Sequence, residues 1–252
     1  MRKSLSYKIL AALMAAGSFG LYAATPAAAE DVKLTNNQLR ANGNAIVIEN
    51  NTLTTPSGTA IPTLSESTNV YGIGYIESEA AKFYTDTAND GNVTITESSF
   101  NYVYGGYTAG VNGENTTANN NTVTLNNSNI SNVYGGKSGS GSANENIVTL
   151  DGGNYGVVIG GSSGNNADSN VVSISNAAIN DYIIGGLGIT TADSNKIEIT
   201  NSTVNISSST KGWALTGGYA SSGNASYNQI IITTAPSAAM FTALILMLPA
   251  LK

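Results

Sequence analysis

Residues 121–141 read NTVTLNNSNISNVYGGKSGSG. Val123 and Leu125 alternate with polar residues, a lone Ile130 follows, and Val133-Tyr134 runs into a glycine doublet. Period-two alternation is the mark of a strand buried on one face only. The stretch is too broken for one long strand, and nothing in it has helical spacing. Its meaning comes from its recurrence.

Ala118 stands three residues before Asn121, and the same spacing returns at Ala41/Asn44, Ala143/Asn146, Ala167/Asn170, Ala192/Asn195 and Ala225/Asn228. A further copy at Ala88 has Gly91 in the Asn place. Two and four residues on come apolar pairs: Ile46/Ile48, Val93/Ile95, Val123/Leu125, Val148/Leu150, Val172/Ile174, Ile197/Ile199 and Ile230/Ile232. Nine residues on comes one more apolar position, occupied by Leu53, Phe100, Ile130, Tyr155, Ile179 and Val204. Glycine doublets then close the unit, from Gly105-Gly106 to Gly217-Gly218. A repeat of about 25 residues cannot bury its own core and must stack on its neighbours.

The pattern predicts an all-β fold, a single-stranded parallel β-helix with coils of about 25 residues. Val123, Leu125, Ile130 and Val133 face inward, and the stacked Asn residues form a hydrogen-bonded ladder from coil to coil. The doublets are expected at sharp corners with positive φ, where a Cβ is strained. Residues 54–69, 77–87, 107–117 and 205–211 are expected as loops. A leucine-rich or helical repeat fails for want of any helix-length apolar pattern. A β-sandwich, which also uses short strands at near-regular spacing, is the remaining rival.

Composition narrows the function. Only 10% of the 252 residues are charged, and Asn, Ser, Thr and Gly supply the polarity instead. With no cysteine and no histidine, disulfides, thiolate chemistry and the commonest general base are excluded. Arg2, Lys3 and Lys8, the apolar run that follows and the small residues up to Ala29 read as a signal peptide over 1–29, cut between Ala29 and Glu30. An N-terminal membrane anchor is the rival reading of that segment. Ten basic residues less those three leave seven against sixteen acidic ones, a mature charge of −9. Nucleic acid, which rewards clustered Lys and Arg, is therefore not an expected partner.

An export signal followed by coils of the type N-x-V-T-L…V-Y-G-G resembles the passenger region of bacterial autotransporter (type V secreted) proteins. The resemblance covers residues 30–234, the repeat domain. It implies a non-enzymatic protein on the bacterial cell surface or outside the cell, an adhesin or a stalk displaying loops. The partners implied are a host-surface glycan or protein, with the chain a monomer or a fragment of a larger passenger. The family's C-terminal translocator barrel has no counterpart here, since each membrane strand needs about ten residues and 18 follow Thr234. The apolar tail 235–252 is too short for a confident membrane span. It reads as a cap on the last coil or as the remnant of a truncated longer protein, with a weak membrane anchor third.

Asp168 and Asp193 share a column with Asn42, Asn89, Asn119, Asn144 and Ser226. Stacked about 4.8 Å apart, two carboxylates approach the separation used by retaining glycosidases. The alternative function, a carbohydrate-active β-helix enzyme, rests on this pair. Turn positions where Asp and Asn interchange are the simpler reading, so no catalytic residue, cofactor or metal is assigned. Tyr71, Tyr104 and Tyr134 precede the doublets, with Ile159, Ile184 and Leu215 completing their column, and read as an aromatic stack beside the core. Tyr75, Tyr107 and Tyr219, just after the doublets, are the better candidates for surface binding.

Overall fold

The computed structural model describes residues 32–35, 38–41, 46–54, 60–61, 64–74, 76–78, 81–83, 87–109, 116–205 and 214–233. The expected signal peptide over 1–29 with its cut between Ala29 and Glu30, the tail 235–252 and Tyr75 lie outside the described residues. Among the described residues every regular element is a strand.

The chain is a parallel β-solenoid whose coils stack through three ladders. The first joins Ile46–Glu49, Asn92–Thr96, the start of Thr122–Ser138, the start of Ile147–Ser163, Val171–Ser175, Lys196–Thr200 and Gln229–Thr233, all parallel. The second aligns Phe100, Ile130, Tyr155, Ile179 and Val204. The third aligns Leu39, Val70, Val103, Val133, Val158, Ile183 and Leu215. In both the register keeps like with like.

These columns are the core. Val93, Val123, Val148, Val172 and Ile197 are fully buried, as are Ile95, Leu125 and Leu150. The intervening Thr94, Thr124, Thr149, Ser173 and Glu198 lie on the outer side, half-buried. The choice of face is energetic, because a slip of one residue would bury Glu198.

The glycine doublets differ from expectation. None has positive φ. The corners turn instead at two series of left-handed residues. Glu97, Asn127, Asn176 and Asn201 stand just after the first ladder, with φ between 45° and 52°. Asp90, Asn120, Glu145, Ser169, Ser194 and Tyr227 stand just before the ladder Asn or Gly91, with φ between 56° and 64°. Their strain is held by the stack, since the Asn120, Glu145 and Ser169 amides donate to carbonyls of the next coil at 2.9–3.0 Å. The doublets are needed for room. A Cβ on Gly136 would sit 2.6 Å from Nδ2 and 2.7 Å from Oδ1 of Asn146, and one on Gly135 would sit 2.8 Å from the Asn146 Cβ. Sequence alone shows that glycine is required but not whether angle or space requires it.

Three smaller differences follow from register. Leu215 pairs with Ile183, so it belongs to the inward column, and Thr216 is the register mate of Ile184. Leu53 is buried in the core, yet its strand Thr52–Thr54 folds back antiparallel on Ile46–Glu49 and pairs with Ile48 instead of joining the Phe100 column. The stretches expected as loops contain Ala60–Ile61, paired antiparallel with Thr52–Thr54, and a hairpin of Ile76–Ser78 with Ala81–Phe83. At the other end Tyr107 and Thr108 extend the third ladder.

Candidate functional site

Outward positions of the third ladder carry aromatic residues because Tyr102 and Tyr104 flank the inward Val103 at period two. Tyr104 stacks on Tyr71 and on Tyr134, with centroids 5.0 Å apart in both cases and planes 11° and 17° apart. Tyr102 lies parallel to Tyr104 at 5.8 Å, and Tyr107 is tilted against it at 5.1 Å. The Lys137 ammonium stands 5.1 Å from the Tyr134 ring centroid and 5.9 Å from that of Tyr107. In later coils the same outward face continues as Val157, Ile159 and Ile184, with Tyr134, Tyr182 and Leu187 against them, a cluster separate from the core.

Burial, and after it the neighbouring Tyr182 and Tyr102 hydroxyls, pushes the Tyr134 phenol up to about 12. Burial pushes Tyr104 up further, helped by Tyr71, Tyr134, Tyr107 and Tyr102. Burial also pushes the Lys137 ammonium down from its ordinary value. Tyr104 and Tyr134 therefore stay neutral at physiological pH. Stacked along the ladder, they spend their faces on one another, so an approaching molecule meets ring edges.

The structure separates the tyrosines singled out from sequence. Tyr107 belongs to the cluster around Tyr104. Tyr219 is in the same column, through Lys137, Ser162 and Leu187, but four coils away and 39% exposed. Tyr102 and Lys137 are the members that sequence reasoning missed. The signal was present, because Tyr102 is two residues from Tyr104 and Lys137 is one past a doublet, as Tyr107 is.

Asp168 and Asp193 stack in adjacent coils, each engaged by the coil that follows. Asp168 Oδ1 accepts from the Asp193 amide at 2.7 Å and its Oδ2 from Thr191 Oγ1 at 2.7 Å. Asp193 Oδ1 accepts from the Ser226 amide. Their column mates do the same with an amide oxygen: Asn89 takes the Asn119 amide, Asn119 takes Asn144, and Asn144 takes Asp168. Among the described residues no cluster of three or more acidic side chains is placed to hold a metal ion. No helix among them is long and apolar enough to cross a membrane.

No protein-family model matches the chain, and neither a curated protein nor a solved structure does. What the geometry defines is a class: a parallel β-solenoid with a continuous interior and an aromatic stripe on one outer face.

Proposed function

We propose that this chain is an exported, non-enzymatic β-solenoid of the bacterial cell surface, an adhesin or stalk of the autotransporter-passenger kind. One observation carries the reading. The first ladder stays in register although 47 residues separate Ile46 from Val93 and 33 separate Ile197 from Ile230, against 24 or 25 in the central coils. A framework that tolerates insertions without slipping is suited to displaying them. Asp168 and Asp193, the pair an enzyme would use, act as acceptors for backbone amides, the role Asn fills in neighbouring coils.

The test is export and attachment of the full chain. Fractionated cells are expected to carry product beginning at Glu30 on N-terminal sequencing, and expressing cells to gain attachment or aggregation. Product retained in the cytoplasm with Met1 intact overturns the reading. Asp168→Asn with Asp193→Asn is expected to leave both export and attachment unchanged. Loss of an activity on polysaccharide in that variant would establish the enzyme instead.

A further inference from the structure

The outer side of the first ladder also holds a groove. Most coils place larger residues at its two outward columns: Thr149 and Glu198 flank Ser173 in one, Asp151 and Thr200 flank Ser175 in the other. One coil writes serine at both positions. The sheet surface dips there, over Ile174, into a groove of about 260 Å³ that reaches Thr149, Glu198, Thr200 and Ile231.

Its polar groups are unevenly committed. Ser175 Oγ donates to Asp151 Oδ1 at 2.8 Å. Glu198 Oε1 is paired with Lys196 Nζ at 2.7 Å. Among the described residues its other oxygen meets only the Ser173 hydroxyl, at 3.5 Å, the outer limit of a hydrogen bond. That oxygen is a strong acceptor facing a groove of hydroxyls that both donate and accept. Ile231, 42% exposed, adds an apolar surface at one end.

We propose that this groove binds one neutral sugar ring, its hydroxyls donating to Glu198 and exchanging hydrogen bonds with Thr149 and Thr200, its C–H face against Ile231. An anion would meet Glu198, and an apolar ligand would strand the hydroxyls. The volume is below the roughly 300–1,000 Å³ of drug-sized pockets, so one ring fits better than an oligomer. Open geometry makes the site weak, at about 1 mM, and effective through many copies on one cell. The proposal rests on the adhesion reading and names its ligand class.

The experiment titrates the isotope-labelled full chain with methyl galactopyranoside, methyl mannopyranoside and methyl glucopyranoside, followed by NMR. With at least one of them, saturable shifts are expected at the amides of Ser173, Ser175, Glu198 and Ile231. S173T restores the methyl group that Thr149 carries in the preceding coil, and is expected to weaken binding about tenfold or more without loss of fold. E198Q is expected to weaken binding while keeping the groove's shape. No saturable shift with any of the three, or undiminished binding by S173T, overturns the site. Attachment by cells is scored separately. Sugar shifts without attachment would overturn the adhesion reading and leave the groove standing, whereas attachment without sugar shifts would do the reverse.

Discussion

At the scale of residues, one asparagine per coil and one glycine doublet form a single device. Asn121, Asn146, Asn170 and Asn195 are fully buried. The backbone amide and the Nδ2 of Asn121 both donate to Asn146 Oδ1, at 3.0 and 2.9 Å, and Asn146 repeats this on Asn170. Asn146→Ala strands two buried donors, each worth about 1–3 kcal/mol, so denaturant unfolding is expected to show a loss of about 3 kcal/mol or more. Gly136→Ala places a methyl group against Asn146 and the Ala118 carbonyl, and is expected to cost about 1–3 kcal/mol. The two changes should not add, because removing the Asn146 amide relieves part of the clash. A double mutant whose loss equals the sum would separate glycine from asparagine and refute the device.

The tyrosines make a residue-scale prediction about pH. The Tyr134 phenol titrates higher in the folded chain than in the unfolded one, whose ordinary value is 10.0. Its contribution to stability is complete below the unfolded value and is lost as pH rises from there towards about 12. Tyr134→Phe is expected to flatten the fall in stability over that alkaline window. Tyrosinate absorbance, taken as wild type minus variant, should show this group ionising only near its top. An equal alkaline fall in both proteins would show that Tyr134 is not desolvated.

At the scale of elements, strand facing decides the consequence of a substitution. Val172 is fully buried between Val148 and Ile197, so Val172→Asp puts an unpaired carboxylate in the core and should abolish folding of the central coils. Ser173→Asn, on the outer side, is expected to change stability by no more than about 0.5 kcal/mol. Asparagine is the better probe there than aspartate, which would repel Glu198. Equal effects of the two variants in thermal melts would overturn the register. That register was legible in the sequence, because Val148, Val172 and Ile197 recur at one spacing with polar residues between them. The antiparallel Thr52–Thr54 return was not, since Leu53 satisfies the repeat pattern and is buried either way. The tyrosine cluster was half legible: the Tyr71, Tyr104, Tyr134 column could be read, but the lateral approach of Tyr102, Tyr107 and Lys137 is a matter of geometry between columns. The serine groove was invisible, because a dip exists only relative to the neighbouring coils.

At the scale of the molecule, contacts run almost wholly between adjacent coils, so stability is a sum of units and interfaces. Damage is therefore expected to travel. In native-state hydrogen exchange, the milder Val172→Ala should lower protection most in Ile147–Ser163 and Lys196–Thr200, the strands beside it, and less in Asn92–Thr96. Uniform loss across all coils would mean a single cooperative unit.

The asparagine ladder has a direction. Each coil's buried amide donors find their acceptor on the coil that comes later in the chain, from Asn121 through Asn146, Asn170 and Asn195 to Asn228. A coil added in front of an assembled stack meets its acceptor already in place. A partial stack that stops short of Asn228 strands the donors of its last coil, about 1–3 kcal/mol for each group, whereas Asn228 turns its Nδ2 back to donate to the Ala192 carbonyl at 2.8 Å. Assembly is thus biased to advance from the last coil towards the first, like a zip with one working end. Pulse-labelled exchange during refolding should protect the amides near Asn195 before those near Asn121, and the opposite order would show that the slider runs the other way.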